Sequence, residues 1–343
     1  MASDVSRRPH APRGRRGTSR PLRIAVAVGG ALALLVGLLG WMFRGPVVIR
    51  VPKDLQRRLV SAQRLEQTVT TLCRDYTPRW YDPPEDLDRA ADWVSARLHE
   101  TGLQVSEQRY RLMEGEYRNI IATRQGTDRN RGAIIIGAHY DAYGKMCGAD
   151  DNASGVAVLL ELARTLPAEP SERTLILVAF ANEEPPLFST EDMGSYHFVQ
   201  KLIEDDAKIE LMIALDLVGY YSDEPGSQGY SSPILGLYYP STGNFLGVVG
   251  DMHAGTWIKK VKRGLMATAD LPIYSFRGPR VIPGVTWSDH FWFRELGLPG
   301  VLVTDTAMLR NPNYHRSTDL PDTLDYDRMA EVVQGLHGVL QNE

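Results

Sequence analysis

Apolar and polar positions divide the chain into three stretches of different character. Residues 1–23 mix Arg, Pro, Gly and Ser with no apolar period and predict a disordered basic arm. Residues 24–43 are apolar or glycine throughout and are closed by Arg44, a run long enough to cross a bilayer as a helix. From residue 51 onward, short apolar runs alternate with amphipathic stretches. The 3.6-residue period predicts helices at 51–73, 85–100, 156–166 and 325–341. It also predicts one from about 194 to Glu204, a mostly helical 244–269, and a helix beginning at 287–290. Strand-like runs fall at 104–112 and 117–124, paired through Glu114-Gly115, and at 133–139, 174–181, 209–215, 234–239, 272–276 and 300–304. Strands alternating with helices predict one α/β domain over 51–343: a three-layer sandwich with a central, mostly parallel mixed sheet flanked by helices.

Charge sharpens this division. The net charge is −4, but residues 1–44 hold eight Arg and one Asp, so the remainder carries −11. An acidic body argues against nucleic acid as a partner. Seven arginines precede the apolar run, which predicts a single-pass membrane helix with its N-terminus in the cytoplasm and the body periplasmic or extracellular. A cleaved signal peptide is the alternative, although Trp41-Met-Phe-Arg-Gly-Pro46 makes a poor small-x-small cleavage site. Cys73 and Cys147 are the only cysteines, which excludes a disulfide framework and a thiolate zinc finger and leaves room for one disulfide outside the cytosol.

The candidate chemistry lies where apolar strands end. His139 closes the run Ala133-Ile-Ile-Ile-Gly-Ala, and Asp150 follows in the next loop. Glu183 and Glu184 follow 174–181, Asp216 follows 209–215, and His315 lies beyond 300–304. Singly, an Asp after a strand is more often a helix cap, a Glu pair usually surface charge, and a lone His more often a hydrogen-bonded structural residue. Successive parallel strands, however, bring their C-terminal ends to one sheet edge, where these groups can converge. Several acids meeting there would repel one another unless divalent metals held them. Carboxylates with two imidazoles suit two zinc ions. Glu183, next to a ligand and not needed as one, suits the general base. No Gly-x-Ser-x-Gly elbow occurs, and no glycine-rich phosphate loop precedes a helix in the required context.

The stretches His139-x-Asp141, Gly148-Ala-Asp150-Asp151-Asn-Ala-Ser-Gly155, Glu183-Glu184, Leu215-Asp216-Leu-Val-Gly219, Ser288-Asp-His290 and Tyr314-His315 resemble the di-zinc aminopeptidases. That family includes bacterial leucyl aminopeptidase and, more distantly, glutamate carboxypeptidase, glutaminyl cyclase and the transferrin receptor ectodomain. The resemblance covers roughly residues 85–340. It implies that His139 and Asp216 bind one Zn2+, Glu184 and His315 the other, and Asp150 bridges them, with a cis peptide bond at Asp150–Asp151. Glu183 would be the catalytic base and acid, and Asp141 would orient His139 from behind. Asp151 would support the ligands, and Asp319, with Asp322, would either orient His315 or simply cap the loop.

The implied activity is a membrane-anchored zinc exopeptidase, an aminopeptidase acting on peptides with a free N-terminus. Glutaminyl cyclase-like or carboxypeptidase action and a non-catalytic receptor-like ectodomain are the alternatives. Two features depart from the simplest relatives. Pro185 to Gly194 replaces a short glycine-rich turn, and Cys147 stands where many relatives have proline. A Cys73–Cys147 disulfide would tie the first helix of the body to the metal loop, with two free thiols as the other reading. Trp287, Ser288, Asp289 and His290 are candidates to line the substrate pocket, against a reading in which Ser288 caps a helix and Trp287 packs in the core.

Overall fold

The computed structural model describes residues 20–43, 51, 55–113, 115–169 and 171–341. The basic arm expected at 1–19 lies outside them. Residues 20–23 are not part of such an arm, because the first helix, α1, already starts there and runs Arg20–Phe43. Pro21–Gly40, with a mean hydropathy of 2.3, is the one helix among the described residues long and apolar enough to cross a membrane. At 1.5 Å per residue, twenty residues rise about 30 Å, the thickness of a hydrocarbon core.

The second unit is the α/β body. In chain order it comprises α2 (Ala62–Asp75), α3 (Pro84–His99), β1 (Gln104–Arg111), β2 (Glu116–Arg124), β3 (Ala133–His139), α4 (Gly155–Thr165) and β4 (Leu175–Phe180). Next come α5 (Gly194–Glu204), β5 (Ile209–Leu215), β6 (Leu246–Asp251), α6 (Gly255–Thr268) and β7 (Ile273–Gly278). It closes with α7 (His290–Glu295), β8 (Gly300–Thr304), the short α8 (Ala307–Arg310) and α9 (Tyr326–Gln341).

The strands form one eight-stranded sheet in the order β1-β2-β4-β3-β5-β8-β6-β7. The four central strands β4, β3, β5 and β8 are mutually parallel, whereas β1, β2 and the β8–β6 pair are antiparallel. The chain leaves β3 toward β4 on one side and returns to β5 on the other. Its topological switch point therefore lies at the C-terminal end of β3, where open α/β sheets place ligands.

Alternation along the strands builds two cores. Ile134, Ile136, Leu177, Ile213 and Val303 face α2, α3, α4, α6 and α9, while Ile135, Val178, Phe180, Met212 and Leu302 face Phe198 of α5 and Phe293 of α7. Strand β3 is buried at all seven positions, as befits a strand covered on both faces.

Three elements differ from the sequence reading. The helix expected over 51–73 begins only at Ala62, where Ser61 Oγ caps Arg64 N at 3.3 Å. The residues before it instead run along α6 and α9, with Arg57 Nη1 on Thr268 O at 2.7 Å and Arg58 N on Gln334 Oε1 at 2.9 Å. In place of a strand at 234–239 there is a single 3₁₀ turn, Leu235–Leu237. The stretch 244–269 splits into β6 and α6. Its first half, Leu246-Gly-Val-Val-Gly, is a short continuous apolar run, and periodicity alone cannot tell a buried strand from a buried helix there.

Candidate metal centre

The centre is built from the ends of the parallel strands. His139 is the last residue of β3 and is fully buried. Its Nδ1 lies 3.3 Å from Asp141 Oδ1, and the other oxygen of Asp141 accepts from Glu184 N at 2.9 Å. One carboxylate thus ties the β3 loop to the β4 loop.

The loop from Gly148 to Gly155 follows, and its conformation explains its composition. Gly148 has φ 58°, and a Cβ there would lie 2.2 Å from Asp151 O. A Cβ on Gly155 would meet Asn152 Oδ1 at 2.4 Å and Leu215 O at 2.7 Å. Only glycine fits either place.

The polar side chains of this loop fasten it to the loop after β5. Asn152 Nδ2 donates to Leu215 O at 2.9 Å, and its Oδ1 accepts from Gly155 N at 3.1 Å and Leu217 N at 3.2 Å. Ser154 Oγ accepts from Val218 N at 3.1 Å, and Asp150 Oδ1 accepts from Gly219 N at 3.0 Å. Leu217 is held at φ 61°, a left-handed conformation costing about 1–3 kcal/mol that persists because bonds on both sides fix it.

These contacts correct the bridging assignment. Asp150 is buried behind the loop, with its second oxygen accepting from Asn311 Nδ2 at 2.9 Å. Burial and the neighbouring Asp305 push its pKa well above the carboxylate range. The carboxylate between the two histidines belongs to Asp151, whose Oδ1 is 3.5 Å from His139 Nε2 and Oδ2 3.0 Å from His315 Nε2. The cis peptide bond is accordingly Asp151–Asn152, not Asp150–Asp151. In a run of two adjacent aspartates, sequence could not say which one turns outward.

Asp319 takes the second of its two readings, fastening a loop. Its oxygens accept from Asp150 N at 2.9 Å and Asp151 N at 3.2 Å, so it anchors the metal loop and does not orient His315.

The remaining groups converge. His139 Nε2 lies 3.4 Å from Asp216 Oδ1 and 3.7 Å from Glu183 Oε2, and His315 Nε2 lies 3.2 Å from Glu184 Oε2. The ligand atoms of His139, Glu183 and Asp216, and those of His139, Asp151 and Glu184, form two compact sets within 4.8 Å. His315 joins the second set through Asp151 and Glu184.

The electrostatics match this crowding. Burial opposes charge on His139, but Glu183 and Asp216 outweigh it and hold the imidazole pKa well above its usual value. His315 is likewise raised to about 10 against burial, through Asp151 and Glu184. Asp151 is drawn down to about 2 by the two histidines despite its burial. Burial and the adjacent Asp151 push Glu184 up to about 8, and burial pushes Glu183 well above its usual value.

This donor set fits divalent metal. Most of the contacts at 3.0–3.7 Å are long for hydrogen bonds between charged partners. They match the roughly 3.3 Å edge of a tetrahedron with Zn–N and Zn–O bonds near 2.0–2.2 Å. Glu184 Oε1 and His315 Nε2 are buried atoms without a hydrogen-bond partner of good geometry.

A cleft of about 440 Å³ opens onto the cluster. Asp151, Glu183, Glu184, Asp216 and His315 line its polar side; Pro185, Phe188, Leu217, Trp287, Met308 and Tyr314 line its apolar side. Of the four candidate pocket residues at 287–290, Trp287 alone lines the cleft. Ser288 is buried close to Asp216 and helps lower its pKa against the rise from burial. Asp289 is buried behind the cluster, where burial lifts its pKa to about 8. His290 faces Val285 O at 2.8 Å and points away from the cleft. A second, apolar cavity of about 80 Å³, lined in part by Tyr230, Phe245 and Tyr274, meets the cleft at Met308 and carries neither carboxylate nor imidazole.

Several contributors went unseen in the sequence. Arg79 is completely buried and donates to Tyr140 O, Leu72 O and Gly148 O at 2.8, 3.3 and 3.1 Å. Asp305, directly after β8, occupies the same kind of strand-end position as Asp216 and could have been found by that signal. Cys73 and Cys147 form a disulfide with Cα atoms 4.7 Å apart, joining α2 to the metal loop.

Comparison with known proteins agrees with this geometry. A family model described as Peptidase family M28 matches residues 119–340. The protein YfbL of Escherichia coli (strain K12) is 39% identical over 293 residues, covering 83% of this chain and 89% of that protein. A probable leucine aminopeptidase of Arthroderma otae is 26% identical over 302 residues, covering 82% of this chain and 73% of its own. Among solved structures, the Legionella pneumophila aminopeptidase LapA superposes with a TM-score of 0.65 at 21% identity, covering 82% of this chain and 72% of that one. A glutaminyl cyclase of Fimbriiglobus ruber superposes at 0.63 and 19% identity, covering 85% of this chain and 98% of that one.

Proposed function

Because the chain belongs to Peptidase family M28, and is therefore a zinc-dependent hydrolase of peptide bonds, we propose that it is an aminopeptidase working with two zinc ions and held to a membrane by α1. His139 and Asp216 would hold one ion, His315 and Glu184 the other, and Asp151 would offer one oxygen to each. Bound there, the ions would polarise the scissile carbonyl and lower the pKa of water to about 7. Glu183 would take the proton from the attacking water and pass it to the departing amine, so that one water adds across the peptide bond. Its carboxylate lines the cleft and lies farther from His139 Nε2, at 3.7 Å, than those of Asp216 and Asp151 do, at 3.4 and 3.5 Å.

The composition of the cleft carries the choice of exopeptidase. Among the described residues that line it, four are carboxylates and none is Lys or Arg. Three of these would be ligands and the fourth the base, so the ammonium of a peptide N-terminus would meet the oxygens that the metals leave over, and no Lys or Arg is there to pair with a C-terminal carboxylate. Phe188, Leu217, Trp287 and Met308 give the adjoining side chain an apolar wall. The same fold in a glutaminyl cyclase keeps cyclisation as the second reading.

The test is Glu183→Gln. The variant is expected to keep its zinc, since the substituted group is not a ligand, and to lose nearly all peptide hydrolysis. Full activity would remove Glu183 from the role of base. Loss of a zinc ion along with activity would make it a ligand.

A further inference from the structure

His139 and His315 are held by different means. His139 Nδ1 has Asp141 behind it at 3.3 Å. Metal-binding histidines usually have such a partner on the second nitrogen to fix the ring. His315 contacts carboxylates through Nε2 alone, at 3.0 and 3.2 Å, and Asp319 is spent on the backbone of the metal loop. The residue also stands at φ 55° on the long loop after β8, and its side chain is 24% exposed. No acceptor for its Nδ1 occurs among the described residues.

Aromatic rings fill that role. Tyr143 stacks on His315 with centroids 4.4 Å apart and planes 4° from parallel. Tyr314 covers the opposite side at 4.0 Å and 20°. Trp80 in turn meets Tyr143 edge-on at 5.6 Å and 84°. Tyr143 itself sits four residues before Cys147, and its carbonyl accepts from Met146 N at 3.3 Å.

We infer that Tyr143, together with Tyr314, is a positioning residue that clamps the His315 imidazole by stacking and so sets the affinity of the metal position His315 serves. A stack of this kind shifts an equilibrium by a factor of about two to twelve beyond burial. The clamp gives a physical reason for a tyrosine at 143, which neither coordinates nor lines the cleft. The inference rests on the two-ion reading above.

The test uses the full chain in detergent and the variants Tyr143→Leu and Tyr143→Phe, with zinc affinities measured by chelator competition. Wild type is expected to show two affinities. Tyr143→Leu should weaken one of them roughly tenfold and leave the other unchanged. Tyr143→Phe should retain both.

A second readout needs no metal: in the zinc-free chain the His315 ring-proton resonance should carry a ring-current shift. That shift should shrink in Tyr143→Leu to the part that Tyr314 contributes, and persist in full in Tyr143→Phe. Unchanged affinities in Tyr143→Leu, or an equal fall in both, would overturn the inference. Failure of the two-ion reading would look different: His315→Asn would then bind as much zinc as wild type, while the ring-current shift in the parent chain would still report the stack.

Discussion

Replacing Arg79 with Met keeps the length of the side chain and removes its charge at a point where three parts of the body meet. Its guanidinium joins Leu72 at the end of α2, Tyr140 at the exit of β3 and Gly148 at the start of the metal loop. Charge-assisted hydrogen bonds contribute about 1.5–3 kcal/mol each, so three amount to roughly 5–9 kcal/mol. Against this stands burial, which lowers the Arg79 pKa to about 10 and so costs about 3 kcal/mol. Leu72 O and Gly148 O keep second donors, Tyr76 N and Ala153 N, after the change. Tyr140 O has no other partner among the described residues. The net loss is therefore about 4 kcal/mol.

A body of this size has an unfolding entropy of about 0.6 kcal/mol/K, so that corresponds to a fall in melting temperature of roughly 7 °C. The loss should grow when the Cys73–Cys147 disulfide is reduced, because the disulfide ties together the same two segments. Thermal unfolding followed by tryptophan fluorescence, with and without reductant, measures both effects. A shift under about 2 °C would refute the claim that this buried cation holds the metal loop to α2.

Two further outcomes follow from the structure. Asp151→Asn should lower zinc affinity more than a hundredfold, because its two oxygens face different histidines. Asp150→Asn, at a carboxylate that burial already drives toward its neutral form, should cost no more than about tenfold; zinc content after dialysis against a chelator separates the two, and equal losses would return the bridge to Asp150. His337 concerns acid stability. Burial, with Arg58 and Arg124, lowers its pKa from 6.5 to about 4, so it stays neutral when folded while the unfolded chain takes up a proton below pH 6.5. Wild type should then lose about 1.4 kcal/mol per pH unit relative to His337→Gln as pH falls from 6.5 to 4. The hydrogen bond to Thr165 at 2.7 Å should favour wild type by about 1 kcal/mol above pH 7, so the two stability curves, measured by urea unfolding, should cross near pH 6. Parallel curves would mean that His337 charges freely in the folded state.

The buried strands were the most legible part of the sequence. Those at 133–139, 209–215 and 300–304 are mostly apolar because helices cover both faces of the sheet, and the groups at and after their ends landed at one edge. Residues whose role depends on loop shape were less readable. Asp150 and Asp151 are chemically identical neighbours, and hydrogen bonds from Gly219 and Asn311 decide which one faces the histidines. Asn152 and Ser154 stood in the sequence as parts of a motif, and only the structure shows that they clasp the loop after β5. Arg79 gave no signal, since an arginine in a Pro-rich loop ordinarily faces water. The misread 244–269 stretch had both a strand-like and a helix-like half, and the pairing of β6 between β8 and β7 settled the first.

The most direct test of the central claim is zinc content together with amino-acid release from matched dipeptides, unblocked and N-acetylated, using the full chain in detergent. The account expects two zinc ions per chain and cleavage only when the α-amine is free, fastest beside an apolar first residue. One zinc ion or none, or equal cleavage of the acetylated peptides, would contradict it.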